Sequence, residues 1–166
     1  MYLDHNATTP LDERVLEAMM PYLKGVVGNA SSVHRYGRIV RAAVDKEREQ
    51  VAALVNAQPS QIIFTSGGTE SINLAIQGFL TGAPGEIALP EGEHPATVNT
   101  IRRLSSRGIK QTVIPLDAEG RLQNETLNQL HWDQIQLVTL LLAHNETGVI
   151  QEIAPLSAIC KENRIP

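Results

Sequence analysis

Residues 62–76, IIFTSGGTESINLAI, pass from a β-branched apolar run into a helical pattern through Ser66, Gly67, Gly68 and Thr69. On the near side, Gln61 to Phe64 reads as a short buried strand. On the far side, Ile72, Ala75, Ile76 and Phe79 recur at helical spacing, which predicts a helix over 67–80. A strand handed directly to a helix is the building unit of a parallel α/β sheet. The turn between them then lies at the carboxyl end of a strand, where such sheets gather ligands. A helix start offers unpaired N–H groups and the positive end of the macrodipole. Two glycines let the backbone come close to a phosphate, and the Ser66 and Thr69 hydroxyls add donors. Neither GxxxxGK[ST] nor GxGxxG is present, so the turn is not a nucleotide P-loop or a dinucleotide fingerprint. Two readings stand side by side here: a capped helix start with a tight turn, or a cradle for an anion.

Working outward, the same rhythm continues. Helices are expected over 11–24, 33–57, 95–107, 124–131 and 155–163, and strands over 86–90, 111–115 and 135–143. Asp12 can cap the first helix, and Pro21 should kink it or end it early. Asn124 is the expected cap of the 124–131 helix, and Pro155 suits the first turn of the last one. The charges in DKEREQ (45–50) fall at helical spacing and read as a solvated face. Alternating strands and helices predict an α/β fold: a three-layer αβα arrangement around a mainly parallel sheet.

The bulk numbers narrow the function classes. The chain has 166 residues, a formal net charge of −4 and 4% aromatics. An acidic balance argues against a binder of nucleic-acid backbone. Cys160 is the only cysteine, which excludes an internal disulfide and a cysteine-rich metal site, so no metal ligands are assigned. No apolar run approaches the roughly 18 residues of a membrane span, and MYLDHNATTP does not read as a secretory leader. The expectation is a cytoplasmic globular protein with an aliphatic core, engaging neither membrane nor nucleic acid.

Two further strand ends carry polar residues: Glu93-His94-Pro95, and His144-Asn145-Glu146-Thr147-Gly148. A lone loop histidine is usually a surface residue, and an asparagine there is usually a turn residue. Three polar strand ends in one sheet would be expected to converge on one crevice.

Five segments together, YLDHNATTPLDERV (2–15), GNASSVHRYGR (28–38), IIFTSGGTESINLAI (62–76), EHPAT (93–97) and HNETGVIQEI (144–153), resemble the cysteine desulfurases of the NifS/IscS type. These belong to the class V aminotransferase group of fold-type I pyridoxal-phosphate enzymes. The resemblance implies that Gly68 and Thr69 bind the cofactor phosphate. It implies that His94 stacks on the pyridine ring and helps move protons, which makes it the catalytic candidate. It assigns Asn145 to the cofactor's phenolic oxygen. Asn6 to Thr9 and Asn29 to His34 match segments lining the substrate mouth near a dimer interface. One departure is His144, where the family usually has a second asparagine; a change in local hydrogen bonding is expected there, with Asn145 kept.

The implied reaction converts L-cysteine to L-alanine and leaves sulfur as an enzyme persulfide, supplying iron–sulfur clusters or thiolation through a sulfur-acceptor protein. A homodimer is implied as well. The Schiff-base lysine, the acidic partner of the ring nitrogen, the substrate-binding arginine and the nucleophilic cysteine are not recognisable. Lys24, Lys46, Lys110 and Lys161 lack the Ser-x-His-Lys context, and Cys160 reads as a helix residue facing the core. The expectation is therefore the N-terminal part of the enzyme, inactive alone and completed by the rest of the same protein or a complementing chain. Residues 1–57 would contribute to a small domain and the substrate mouth, and 58–166 would begin the cofactor-binding large domain. The family's strand order would leave Gln61 to Phe64 without a neighbour in this chain. Another class V enzyme, such as a selenocysteine lyase or an aminotransferase, is the alternative, as is an inert fragment.

Overall fold

A computed structural model describes residues 1–80, 82 and 84–166. The chain divides into two compact units, Met1–Phe64 and Thr65–Pro166.

The first unit is helical. Helix α1 spans Glu13–Lys24 and α2 spans Arg35–Leu54. Asp12 caps α1 by accepting the Arg14 N–H at 2.8 Å, and its carboxylate also pairs with the Arg14 guanidinium. That pairing is the main cause holding the Asp12 carboxyl below its usual value. Pro21 does not end the helix early. It forfeits only its own backward hydrogen bond, and its carbonyl still accepts the Gly25 N–H at 3.1 Å, so α1 runs on to Lys24. Before α2, Asn29 accepts the Ser31 N–H at 2.8 Å, and Arg41 donates to the Ala30 carbonyl at 2.8 Å. The start of α2 presses on this loop: a Cβ at Gly37 would run into the carbonyls of Ser32 and Asn29.

The expected strand at 61–64 does not form. Pro59–Gln61 is a 3₁₀ turn, and the chain then continues without ladder hydrogen bonds among the described residues. Its polar and aromatic groups are held by a helix side chain: Arg48 donates to the Ile62 carbonyl and lies 4.8 Å from the Phe64 ring centroid. Ile63 is 68% exposed. An apolar run becomes a strand only where a neighbouring strand takes up its backbone groups.

The second unit is an αβα sandwich. Helix α3 spans Gly68–Phe79, β1 Gly85–Pro90, α4 Pro95–Leu104, β2 Ile109–Ile114, α5 Asn124–Leu127, β3 Ile135–Val138 and α6 Ala154–Asn163. The sheet is parallel with order β2-β1-β3, so β1 is central. Side chains alternate along it. Ile87 and Leu89 join Ile76, Ile101, Leu104, Ile109 and Leu137 on the face covered by α3 and α4. Ala88 joins Ile114, Leu127, Ile135 and Leu156 on the face covered by α5 and α6. Burial on both faces explains why the central strand β1 reads as a nearly continuous apolar run, whereas the edge strand β2 keeps Lys110 and Gln111 exposed. Among the described residues no helix is long and apolar enough to cross a membrane.

Several boundaries move. The 135–143 run is a strand only over Ile135–Val138. After the Thr139 N–H reaches the Ala88 carbonyl at 3.0 Å, the chain leaves the ladder, and the Leu141 N–H turns to the Glu93 carboxylate instead. The 95–107 helix tightens into a 3₁₀ turn at Ser105–Arg107, and β2 begins earlier, at Ile109. Helix α5 stops at Leu127, and Asn124 is its first residue, preceded by Gln123 at the cap position.

Candidate functional site

Helix α3 opens with Gly67 at its cap position and no side chain caps it, so the first-turn amides of Gly68 and Thr69 face outward for a ligand or water. A Cβ at either Gly67 or Gly68 would meet nothing within 4 Å. The glycines therefore leave open space in front of the helix and are not required by crowding. Around this opening the side chains brace the turn. Ser66 donates from both its N–H and its hydroxyl to the same Glu70 carboxylate oxygen, each at 2.6 Å. The Ser66 hydroxyl is the leading cause that lowers the Glu70 carboxyl below its ordinary value, with the Ser66 amide second. Thr65 and Ser71 hydroxyls are 2.7 Å apart. The brace occupies Ser66 with Glu70, while Thr69 lines the hollow beyond.

A hollow of about 550 Å³ lies beyond, within the ~300–1,000 Å³ usual for small-molecule sites. Gly68 and Thr69 from the start of α3, Glu93 and His94 from the β1–α4 loop, and Thr139 from the end of β3 all line it. Its floor is apolar, from Ile72, Ile76 and Leu140. It sits at the carboxyl ends of β1 and β3, as a parallel sheet requires.

His94 lines the hollow and caps α4, its Nδ1 accepting the Ala96 N–H at 3.1 Å. A ring that accepts at Nδ1 carries its proton on Nε2 when neutral. That fixes both ring plane and tautomer. The loop before it is tied down residue by residue. The Glu91 N–H donates to the Ile114 carbonyl at 3.0 Å, the Gly92 carbonyl faces His144 Nε2 at 3.1 Å, and the Glu93 carboxylate takes the Leu141 N–H.

Gly68, Thr69 and His94 thus meet in one hollow. Asn145 is not among its lining residues: it is exposed, in the turn between the bridged residues Ala143 and Ile150. Cys160 lies in α6, half-buried against the second core cluster, and burial raises its thiol pKa. Among the described residues, no cluster of three or more His, Cys, Asp or Glu side chains could hold a metal ion.

One contact and one residue of the site escape sequence reasoning. Glu93 lies beside His94 in EHPAT, yet its bond to a distant amide has no local signal. Thr139 stands in the apolar run IQLVTLLLA, and its hydroxyl oxygen is buried in the cavity wall with no hydrogen-bond partner. An unmatched buried hydroxyl beside a cavity fits a site built for a polar ligand.

Comparison with known proteins gives a consistent result. The family model for class-V aminotransferases matches residues 1–165. The cysteine desulfurase IscS of Dechloromonas aromatica is 44% identical over 99% of this chain. The mitochondrial cysteine desulfurase of Drosophila melanogaster is 39% identical over the same share. Among solved structures, a NifS-like protein superposes with a TM-score of 0.91 at 35% identity, over 98% of this chain. A structure described as SspA in complex with cysteine also reaches 0.91, at 32% identity. The chain spans 42% of the length of the Dechloromonas relative, 37% of the Drosophila one and 46% of the NifS-like chain.

Proposed function

The chain belongs to the class-V aminotransferase family, and on that premise we propose that it is the N-terminal portion of a pyridoxal-phosphate-dependent cysteine desulfurase. The observation that carries this reading is the meeting of Gly68, Thr69 and His94 around one hollow at the strand tips of a parallel sheet. The residues fit the cofactor. An uncapped helix start with open space before it suits a phosphate ester, and the apolar floor with an imidazole at one wall suits a flat heteroaromatic ring.

Each side chain has a definable task. The Gly68 and Thr69 amides, with the Thr69 hydroxyl, bind the phosphate. The Ser66–Glu70 brace keeps the turn in shape without competing for that anion. His94, its plane fixed by the Ala96 N–H, would face the ring from the wall of the hollow, where its Nε2 could hold or move a proton. Asn145, on the neighbouring turn, offers a carboxamide to the ring's phenolic oxygen. When bound, the cofactor supplies an electron sink that the protein orients.

The complete protein converts L-cysteine to L-alanine and passes sulfur, as a persulfide, to an acceptor protein for iron–sulfur assembly or thiolation. It acts as a cytoplasmic homodimer in which residues 1–57, with Asn6–Thr9 and Asn29–His34, contribute to a small domain and the substrate mouth. This chain alone is inactive. None of Lys24, Lys46, Lys110 and Lys161 lines the hollow, so no amine stands ready to hold the cofactor covalently.

The test uses the complete protein, loaded with pyridoxal phosphate and given L-cysteine, with alanine and sulfide measured. His94→Asn is the informative variant, because an asparagine keeps a cap for α4 while removing the ring. The expected result is a visible absorption band in the wild type, release of alanine, and a loss of about 10²-fold or more in turnover for the variant with its folding intact. Full activity in His94→Asn would overturn the role of His94. No alanine from the wild type would overturn the desulfurase reading. Transamination or selenocysteine cleavage in its place would assign the protein to another branch of the same family.

A further inference from the structure

His144, half-buried, is the focus of several hydrogen bonds. Its main-chain N–H donates to the Val149 carbonyl at 2.8 Å, and its carbonyl accepts the Gly148 N–H at 2.8 Å. Its ring Nδ1 accepts from the Glu146 and Thr147 amides, each at 3.2 Å. Its ring Nε2 lies 3.1 Å from the carbonyl oxygen of Gly92, fifty-two residues away in sequence.

One tautomer of the neutral ring satisfies all of these contacts. Two amide donors converge on Nδ1, so Nδ1 must offer a lone pair. The carbonyl at Nε2 only accepts, so Nε2 must carry the proton. The opposite tautomer sets donor against donor and lone pair against lone pair. The imidazolium loses both amide bonds at Nδ1.

We propose that His144 is a positioning residue: its ring, locked as the Nε2–H tautomer, clamps the turn that carries Asn145 against the loop that carries His94. The proposal rests on the cofactor reading above for its consequence and on the hydrogen bonds alone for its geometry. Gly92 lies two residues before His94, and His144 adjoins Asn145, so one ring sets the spacing between the two side chains offered to the cofactor. Gly92 belongs to the same device. It has φ +77°, and a Cβ there would sit 3.1 Å from His144 Nε2, so glycine both permits the turn and lets the ring reach the carbonyl. An asparagine at this position would match only half of the function. Its side-chain oxygen can replace Nδ1 as acceptor for the Glu146 and Thr147 amides, but it is too short to replace Nε2 at Gly92.

Two substitutions therefore separate the two halves in the complete protein. His144→Asn keeps the turn and cuts the link, whereas His144→Gln places an amide donor near the Nε2 position and keeps the link. Long-range ¹H–¹⁵N correlation spectra of the wild type should show Nδ1 unprotonated and Nε2 protonated. In His144→Asn the amide resonances of Glu93 and His94 should move, with the melting temperature close to that of the wild type. The dissociation constant for pyridoxal phosphate should rise about twofold to tenfold, the worth of one ordinary hydrogen bond. His144→Gln should recover part of that loss. A proton on Nδ1, or unmoved Glu93 and His94 resonances in His144→Asn, overturns the clamp whether or not the cofactor binds. Unchanged cofactor affinity in His144→Asn overturns its role in the site. A wild type that takes up no pyridoxal phosphate overturns the functional reading, and the spectra still decide the clamp.

Discussion

The two units of this chain bury their apolar residues very differently. In Thr65–Pro166, β1 is enclosed on both faces, with Ile87 and Ala88 at 0% exposure and Leu89 at 1%. In Met1–Phe64 only Gly37 and Ala52 are buried, although the helices are well formed. On α1, Val15, Met19 and Tyr22 share one stripe yet remain 46%, 43% and 49% exposed. Local signals, such as the Asp12 cap and the His34 cap of α2, are enough to start a helix. They do not create a core, because a core needs facing layers. The candidate site follows the same division: all the residues around its hollow come from the layered unit, where rigid strands fix the loops that hold them.

The contrast can be broken most directly by truncating side chains. Leu89→Ala, in the centre of the sheet, should cost about 2–5 kcal/mol, measured by urea denaturation. Met19→Ala on α1 should cost about 0.5 kcal/mol or less, as for an ordinary surface substitution. Equal costs would mean that α1 is packed against something that leaves it buried.

Thiol chemistry sharpens the picture at the edge of the layered unit. Burial raises the Cys160 pKa, which disfavours the reactive thiolate. Iodoacetamide at neutral pH should therefore label Cys160 several-fold more slowly in the native protein than in urea, followed by mass spectrometry. Rapid native labelling would show that α6 is loosely held.

The smallest effect concerns the turn before α3. The folded Glu70 carboxyl is depressed below 4.5, chiefly by the Ser66 hydroxyl, so its contribution is present above that value. It is lost as pH falls through the lowered folded value. In Ser66→Ala the Glu70 titration, followed by carboxyl ¹³C shifts, should move back upward, and the acid-side loss of structure at this turn should begin at higher pH. An unmoved titration would mean that the Ser66 amide alone sets it.

Much of the architecture is legible in the residues. The helical spacing of Ile72, Ala75, Ile76 and Phe79 predicts α3, and the runs EIALP and QTVIP predict β1 and β2 within two residues. The strand expected at Gln61–Phe64 fails for a reason no local pattern contains: it has no neighbouring strand to bond among the described residues. The long run to Ala143 is cut at Val138 because the Leu141 amide is claimed by Glu93, forty-eight residues earlier. Pro21 misleads in the opposite sense, since a single lost hydrogen bond near the end of α1 does not stop it.

The site divides in the same way. The glycine turn, His94 and Asn145 can be singled out from their types and from the motifs around them. Thr139 cannot, and neither can the reach of Glu93 to the Leu141 amide or of His144 to Gly92. By itself the sequence determined most of the element types and the alternation that points to a parallel sheet, because these rest on spacing within a few residues, and its motifs carried the resemblance to the family. Only the tertiary structure decided which strand is central, which polar strand ends share a hollow, and which backbone groups each side chain satisfies. Those outcomes depend on contacts between residues tens of positions apart, and a periodic pattern carries no record of its partners.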